Sequence, residues 1–149
     1  MSKKEEKALD LFTSGKGYNC AQSVLGVFCE ESELDIDNAF KLSNGFGGGM
    51  RFGEVCGAVS GAVMAIGLKC GFSVEKDFEQ KEFCYAKTDE FLEIFKKEND
   101  STLCRDLLST DIHSPDDFKK PEIRESIKTV CPKIVVAAVR IVESMDFKR

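Results

Sequence analysis

The segment from Val55 to Leu68 constrains the fold of this 149-residue chain more than any other feature. It has no charged residue, and its small residues include Gly57, Ala58, Gly61 and Ala62. Glycines four positions apart on a helix let another backbone approach closely. At 14 residues the segment is too short to cross a bilayer, which takes about 20. It therefore predicts a buried central helix with the rest of the chain packed around it.

The sequence on both sides of this segment shows apolar residues at helical spacing, separated by capping and glycine signals. We expect helices over residues 3–14, 20–31, 54–69, 74–99 and 121–145, and shorter helices starting at Asp35 or Asp37 and at Asp100 or Ser101. Pro132 is expected to break the last helix and to place Cys131 at the start of a new one. The predicted fold class is all-α: a compact bundle of five to seven helices forming one domain over residues 1–149.

A glycine-rich segment, residues 44–53, precedes the central helix and is predicted to be a loop. It lacks the Gly-Lys-Ser/Thr of a phosphate-binding loop, and no strand precedes it. Two roles for its bare backbone remain open. It could form a tight turn, or Gly47, Gly48 and Gly49 could approach a cofactor or the cysteines, with Arg51 offering positive charge to a thiolate.

Four of the seven cysteines follow predicted helix-start signals: Cys20, Cys56, Cys104 and Cys131. The first helical turn carries free N–H groups and the positive end of the dipole, which favour the thiolate. None of the four forms a CxxC pair, so neither a zinc knuckle nor a thioredoxin motif is present. The competing interpretation is that free cysteine is a small core hydrophobe.

The other three cysteines, Cys29, Cys70 and Cys84, are expected only to pack, since none follows a helix start. His113, the single histidine, lies in a polar loop and is expected to be solvated. Glu54 precedes Cys56 by two residues, where its charge would suit a helix start.

The cysteine motifs together resemble a known family. Residues 56–61 read Cys-Gly-Ala-x-x-Gly, residues 19–22 read Asn-Cys-Ala-Gln, and single cysteines follow at Cys104 and Cys131. This pattern, with the glycine loop, resembles the C_GCAxxG_C_C family of small proteins to which a redox role is assigned. The family label writes Gly-Cys-Ala at its centre, whereas residues 55–58 here read Val-Cys-Gly-Ala. The resemblance implies a redox role for the four cysteines and supplies no substrate.

Three functions follow from these residues. The first is a thiol-based redox protein, either an oxidoreductase or an electron carrier with an unknown redox partner. The second is a metal site in which the same four cysteines bind zinc or an iron–sulfur cluster. The third is a non-catalytic interaction module, in which the small-residue helix forms a homodimer. No CxxCH is present, so covalent haem is not expected.

The net charge of −5 and the lack of a basic run argue against nucleic-acid binding. No membrane insertion is expected either. The first residues, Met-Ser-Lys-Lys-Glu-Glu-Lys, lack the apolar run of a signal peptide, so we expect a cytoplasmic protein. Thiols in that reducing compartment would be free, metal-bound or transiently oxidised.

Overall fold

The computed structural model describes residues 1–149 and contains seven α-helices, which confirms the all-α fold class. The helices are α1 (Lys3–Thr13), α2 (Cys20–Phe28), α3 (Ile36–Ser43), α4 (Gly57–Cys70), α5 (Phe78–Asn99), α6 (Cys104–Leu107) and α7 (Pro121–Ser144). Short 3-10 turns cover Cys29–Glu31, Asn44–Phe46 and Pro115–Lys119. No helix has both the length and the hydropathy to cross a membrane.

Helix α4 lies at the centre of the bundle and packs against α2, α5 and α7. Ala58, Ala62 and Ala65 on this helix are fully buried. A Cβ atom on Gly61 would lie 2.7 Å from the carbonyl oxygen of Ala21, so only glycine allows α2 to pack this closely. The small-residue stripe therefore contacts α2 of the same chain and is not free for a second copy.

Helix α4 begins at Gly57, three residues later than predicted, because the preceding residues pair with another segment. The backbone N–H of Cys56 donates to the carbonyl of Thr102 at 2.8 Å, and that of Cys104 donates to Glu54 at 2.7 Å. These bonds form an isolated antiparallel bridge between Val55 and Leu103. The bridge ties the start of α4 to the start of α6.

Helix α7 continues through Pro132, so the predicted break there is wrong. Proline removes the donor to the carbonyl four residues earlier, that of Lys128, which is an exposed residue within reach of water. Apolar residues on both sides of the proline are buried, including Ile123 and Val135. Packing on both sides outweighs the local cost of the proline. Cys131 consequently lies inside a helix and not at a helix start.

Helix α5 begins at Phe78, four residues after the predicted start, because Asp77 caps it by accepting from the N–H of Gln80 at 3.1 Å. Residues 71–77 form an exposed turn in which Lys76 has a positive φ of 65°.

Candidate functional site

One cavity of about 220 Å³ is lined by all four cysteines that follow the predicted helix-start pattern. Cys56 and Cys104 are buried, and Cys20 and Cys131 are partly buried. The cysteines come from four elements, at the starts of α2, α4 and α6 and from the middle of α7. The fold thus brings together residues separated by up to 111 positions in the chain.

The position of Cys20 is fixed by a capping box at the start of α2. The Asn19 side chain accepts from the backbone N–H of Gln22, and the Gln22 side chain accepts from the N–H of Asn19, both at 2.9 Å. The Asn19 amide also donates to the carbonyl of Asn44 at 2.9 Å. These bonds attach the first turn of α2 to the glycine loop and hold Cys20 at the cavity wall.

Cys20 has the largest set of backbone donors among the four cysteines. Burial raises the pKa of its thiol above the usual value. Backbone N–H groups from Gly48, Ala21, Cys20 itself and Ala58 act in the opposite direction and lower that pKa. The sulfur therefore lies at the N-termini of two helices, α2 and α4, where negative charge is favoured. At none of the other three thiols do as many backbone N–H groups oppose the effect of burial on the pKa.

Gly57 leaves the space that the Cys20 sulfur occupies. A Cβ atom at this position would overlap the Cys20 Sγ and would lie 2.8 Å from the carbonyl oxygen of Phe46. The glycine that follows Cys56 in the motif is thus required for the close approach of Cys20 to α4.

Cys56 is the N-cap residue of α4. Burial raises the pKa of its thiol well above the usual value, and the charge of Cys20 raises it further. Backbone N–H groups of Val59 and Ala58 lower that pKa in part. The backbone N–H of Ala58 also lowers the pKa of Cys20, so the two sulfurs share a donor at the start of α4.

Cys104 and Cys131 lie in more apolar surroundings. Burial, followed by the charge of Cys20, raises the pKa of each thiol to about 12. Arg105 lowers the pKa of Cys104, and no backbone N–H group contributes to either sulfur. The helix-start argument from sequence therefore fails for Cys131, which is inside α7, and adds little at Cys104, where α6 is only four residues long.

The glycine loop forms one wall of the cavity, but not every residue of the loop lines that cavity. Gly47, Gly48 and Arg51 line the cavity, whereas Gly49 packs against the backbone of Glu54. Residues 48–51 all have positive φ, so the chain turns through left-handed conformations that favour glycine. The Arg51 guanidinium lies 5.1 Å from the centre of the Phe118 ring, which also lines the cavity.

The arrangement of donor side chains does not provide a preformed metal site. No group of three or more His, Cys, Asp or Glu side chains is positioned to hold a metal ion. The four sulfurs face one cavity and influence each other through charge, but they do not converge as ligands. His113 is outside the cavity beside Asp111, and Glu54 pairs with Arg105 at 3.1 Å.

Sequence reasoning missed several apolar residues that line the cavity beside the cysteines. Phe118 and Ile127 line the cavity from the segment after α6, together with Leu107, Val130 and Ile134. Leu107 and Ile134 have the spacing of core positions on their helices, and nothing in the sequence separates a residue that faces a cavity from one that faces a filled core.

Comparisons with known proteins give one match. A family described as "Putative redox-active protein (C_GCAxxG_C_C)" matches residues 18–145, which include all four cavity cysteines. No curated protein and no solved structure matches the chain. Because the matched segment covers most of the chain, the protein belongs to the C_GCAxxG_C_C family, whose described character is redox activity.

Proposed function

We propose that the protein is a thiol–disulfide redox protein in which Cys20 is the attacking thiol. The observation that carries the proposal is the set of N–H groups from α2, α4 and the glycine loop around one sulfur in a cavity that three further cysteines line. The thiolate is the reactive form of cysteine, and backbone donors at helix N-termini are the usual means of stabilising it.

The first step is exchange with a small external disulfide. The Cys20 thiolate attacks one sulfur of the disulfide, which forms a mixed disulfide on Cys20 and releases one thiolate that takes up a proton. Cys56 is the proposed resolving thiol, because it shares the Ala58 donor with Cys20. Its sulfur attacks the Cys20 sulfur, forms the Cys20–Cys56 disulfide and releases the second thiol. Two protein thiols are oxidised and one external disulfide is reduced.

Cys104 and Cys131 complete the thiol set in the same cavity. Each is affected by the charge of Cys20, and Cys131 also by that of Cys104. A disulfide that forms first between Cys20 and Cys56 leaves these two thiols as a reducing pair. Their attack on that disulfide would pass oxidation to Cys104 and Cys131 and regenerate Cys20 for another cycle.

The alternative of a four-cysteine iron–sulfur or zinc site has less support, because the donor side chains do not converge on one point. A purely structural role also has less support, because four core cysteines would not need the backbone donors that surround Cys20.

The proposal is tested by exchange between the reduced protein and hydroxyethyl disulfide under nitrogen, followed by alkylation of the free thiols and mass spectrometry of the tryptic peptides that carry the cavity cysteines. The wild type should form an internal disulfide and release two thiols for each disulfide consumed. Cys56→Ser should accumulate the mixed disulfide on Cys20, whereas Cys20→Ser should form neither a mixed disulfide nor an internal disulfide at the four cavity cysteines. Cys29→Ser, which changes a core cysteine outside the cavity, serves as the control and should behave as wild type. Exchange at the cavity cysteines that is unchanged in Cys20→Ser would rule the proposal out.

A further inference from the structure

A second pair of cysteines lies outside the cavity, where α4 ends beside α5. Cys70 is the last residue of α4 and is 5% exposed, while Cys84 lies in the second turn of α5 and is partly exposed. Cys70 belongs to the main core cluster, Cys84 packs against that cluster, and Cys84 is close enough to Cys70 to raise the pKa of its thiol. The Cys70 thiol donates to the carbonyl of Ile66 at 3.3 Å.

The backbone around this pair is held in place from both helices. The Gln80 side chain donates to the carbonyl of Cys70 at 2.6 Å. Gln80 and Cys84 are four residues apart on α5 and therefore share a face, so the contact made by Gln80 keeps Cys84 against the end of α4. Gly71 closes α4 by donating to the carbonyl of Gly67 at 2.8 Å.

The two thiols differ in their surroundings. Burial and the neighbouring Cys84 raise the pKa of Cys70 to about 12, and Lys87, one turn further along α5, lowers it. The Lys87 ammonium is itself 3.1 Å from the Glu90 carboxylate. Cys84 is the more accessible thiol, so an external reagent reaches it first.

We propose that Cys70 and Cys84 form a reversible disulfide, a second redox site that cross-links α4 to α5 independently of the cavity. The oxidant is a low-molecular-weight disulfide. The Cys84 thiolate attacks it to form a mixed disulfide and releases one thiol. The Cys70 sulfur then attacks the Cys84 sulfur, and the second thiol leaves. Two protein thiols are oxidised and the external disulfide is reduced to two thiols, so electrons and protons balance.

The cross-link would close the exposed turn over residues 71–77 into a short covalent loop. In the reduced protein this turn carries the exposed side chains of Phe72 and Val74. A disulfide across a loop of this length restricts the unfolded chain and raises the melting temperature. The site therefore offers a redox-dependent control of stability at the end of the central helix.

The test oxidises the folded protein with glutathione disulfide under nitrogen, blocks free thiols with N-ethylmaleimide and maps tryptic peptides without reduction. Trypsin separates the pair onto peptides 70–76 and 82–87, while the cavity cysteines lie on other peptides. We expect the 70–76 and 82–87 peptides to be joined, and the melting temperature to rise by about 6–12 °C.

Matched variants separate this site from the cavity. Cys84→Ser and Cys84→Ala should both lose the cross-link and the rise in melting temperature, whereas Cys29→Ser should keep both. Cys20→Ser should also keep both, so a failure of cavity chemistry leaves this outcome unaffected. Recovery of the two peptides only as separate alkylated or glutathione-bound species from natively folded protein would overturn the proposal.

Discussion

At Gly57, the lack of a side chain decides where the Cys20 sulfur can lie. The space that a Cβ atom would take is occupied by the Cys20 Sγ and, at 2.8 Å, by the carbonyl oxygen of Phe46. The glycine of the motif thus leaves space for Cys20, which lies beside it in the fold, and not for Cys56, which precedes it in the sequence. Gly67 on the same helix provides a direct comparison, because a Cβ atom there would have no neighbouring atom within 4 Å.

Gly57→Ala should lower the free energy of unfolding by about 1–3 kcal/mol, because the added methyl group overpacks a filled site. It should also slow the exchange reaction of Cys20, whose sulfur must move away from the α4 donors. Gly67→Ala should instead raise the free energy of unfolding by roughly 0.5–1 kcal/mol, since alanine favours a helix where space is open. Urea unfolding and hydroxyethyl disulfide exchange measure both effects, and equal behaviour of the two variants would contradict this role of Gly57.

The raised thiol pKa values predict an unusual pH dependence of alkylation. Below the pKa of a cysteine, the fraction of its thiol that is ionised rises about tenfold for each pH unit. Because the pKa of Cys104 and of Cys131 is about 12, their alkylation by iodoacetamide should keep rising from pH 7 to pH 10. The same cysteines in urea-unfolded protein should level off near pH 9, the usual thiol value. Mass spectrometry of peptides 98–105 and 129–133 measures each rate, and a plateau near pH 9 in the folded protein would disprove the shift.

At the scale of elements, the first turn of α2 connects the fold to the chemistry. Its capping box joins Asn19 to Gln22, and Asn19 also holds the glycine loop through the carbonyl of Asn44. Helix α3 has a comparable cap, in which Asp35 accepts from the N–H of Asn38 at 2.9 Å, but that cap is exposed and does not line the cavity.

Replacing each cap by alanine separates stability from reactivity. Asn19→Ala and Asp35→Ala should each lower the free energy of unfolding by about 1 kcal/mol, the usual value of a helix cap. Only Asn19→Ala should also slow the exchange of Cys20, because it releases the turn that carries this thiol. Equal exchange rates in the two variants would show that the capping box does not position Cys20.

Helix α7 tests the balance between local preference and packing. Pro132→Ala should raise the free energy of unfolding by about 1–2 kcal/mol, because alanine restores the helical N–H without changing the buried face. If a new helix began at Pro132, the substitution would be neutral or destabilising, since proline suits a first helical position. Chemical denaturation of the two proteins distinguishes these cases.

The sequence predicts elements better than it predicts their junctions. The cap at Asn19 and the apolar stripe of α4 are local signals, so the predicted bounds of α2 and α4 lie within a few residues of the observed ones. The later start of α4 depends on the bridge between Val55 and Leu103, a pairing of residues far apart in sequence. The continuity of α7 through Pro132 likewise depends on packing that no local pattern contains.

At the scale of the whole molecule, the bundle gathers four distant cysteines around one cavity. Periodicity predicts the all-α fold, and positions near helix-start signals single out the four residues. Their convergence does not follow from the sequence, because it depends on how α2, α4, α6 and α7 pack. For Cys131 the sequence argument selects a cavity residue for a reason that the structure does not support, since it lies inside α7.

The division of the cysteines by location also belongs to this scale. Four line the cavity, Cys70 and Cys84 meet at the end of α4, and Cys29 packs alone with its thiol donating to Leu25 at 3.4 Å. The family match covers the four cavity residues without distinguishing their roles. Backbone donors do distinguish them, and they make Cys20 the centre of the proposed chemistry.

The measurement that tests the proposed chemistry most directly is a disulfide map of the protein during anaerobic titration with a dithiothreitol redox buffer, combined with metal analysis. Trypsin places Cys20, Cys56, Cys104 and Cys131 on four separate peptides, so each pairing is identified by mass. The titration uses Cys29→Ser protein, because Cys29 shares a tryptic peptide with Cys20. We expect the Cys20–Cys56 disulfide to appear and disappear reversibly as the buffer potential changes, in protein that contains no stoichiometric metal. Cavity thiols that stay reduced throughout, or that copurify with stoichiometric iron or zinc, would contradict the thiol–disulfide function.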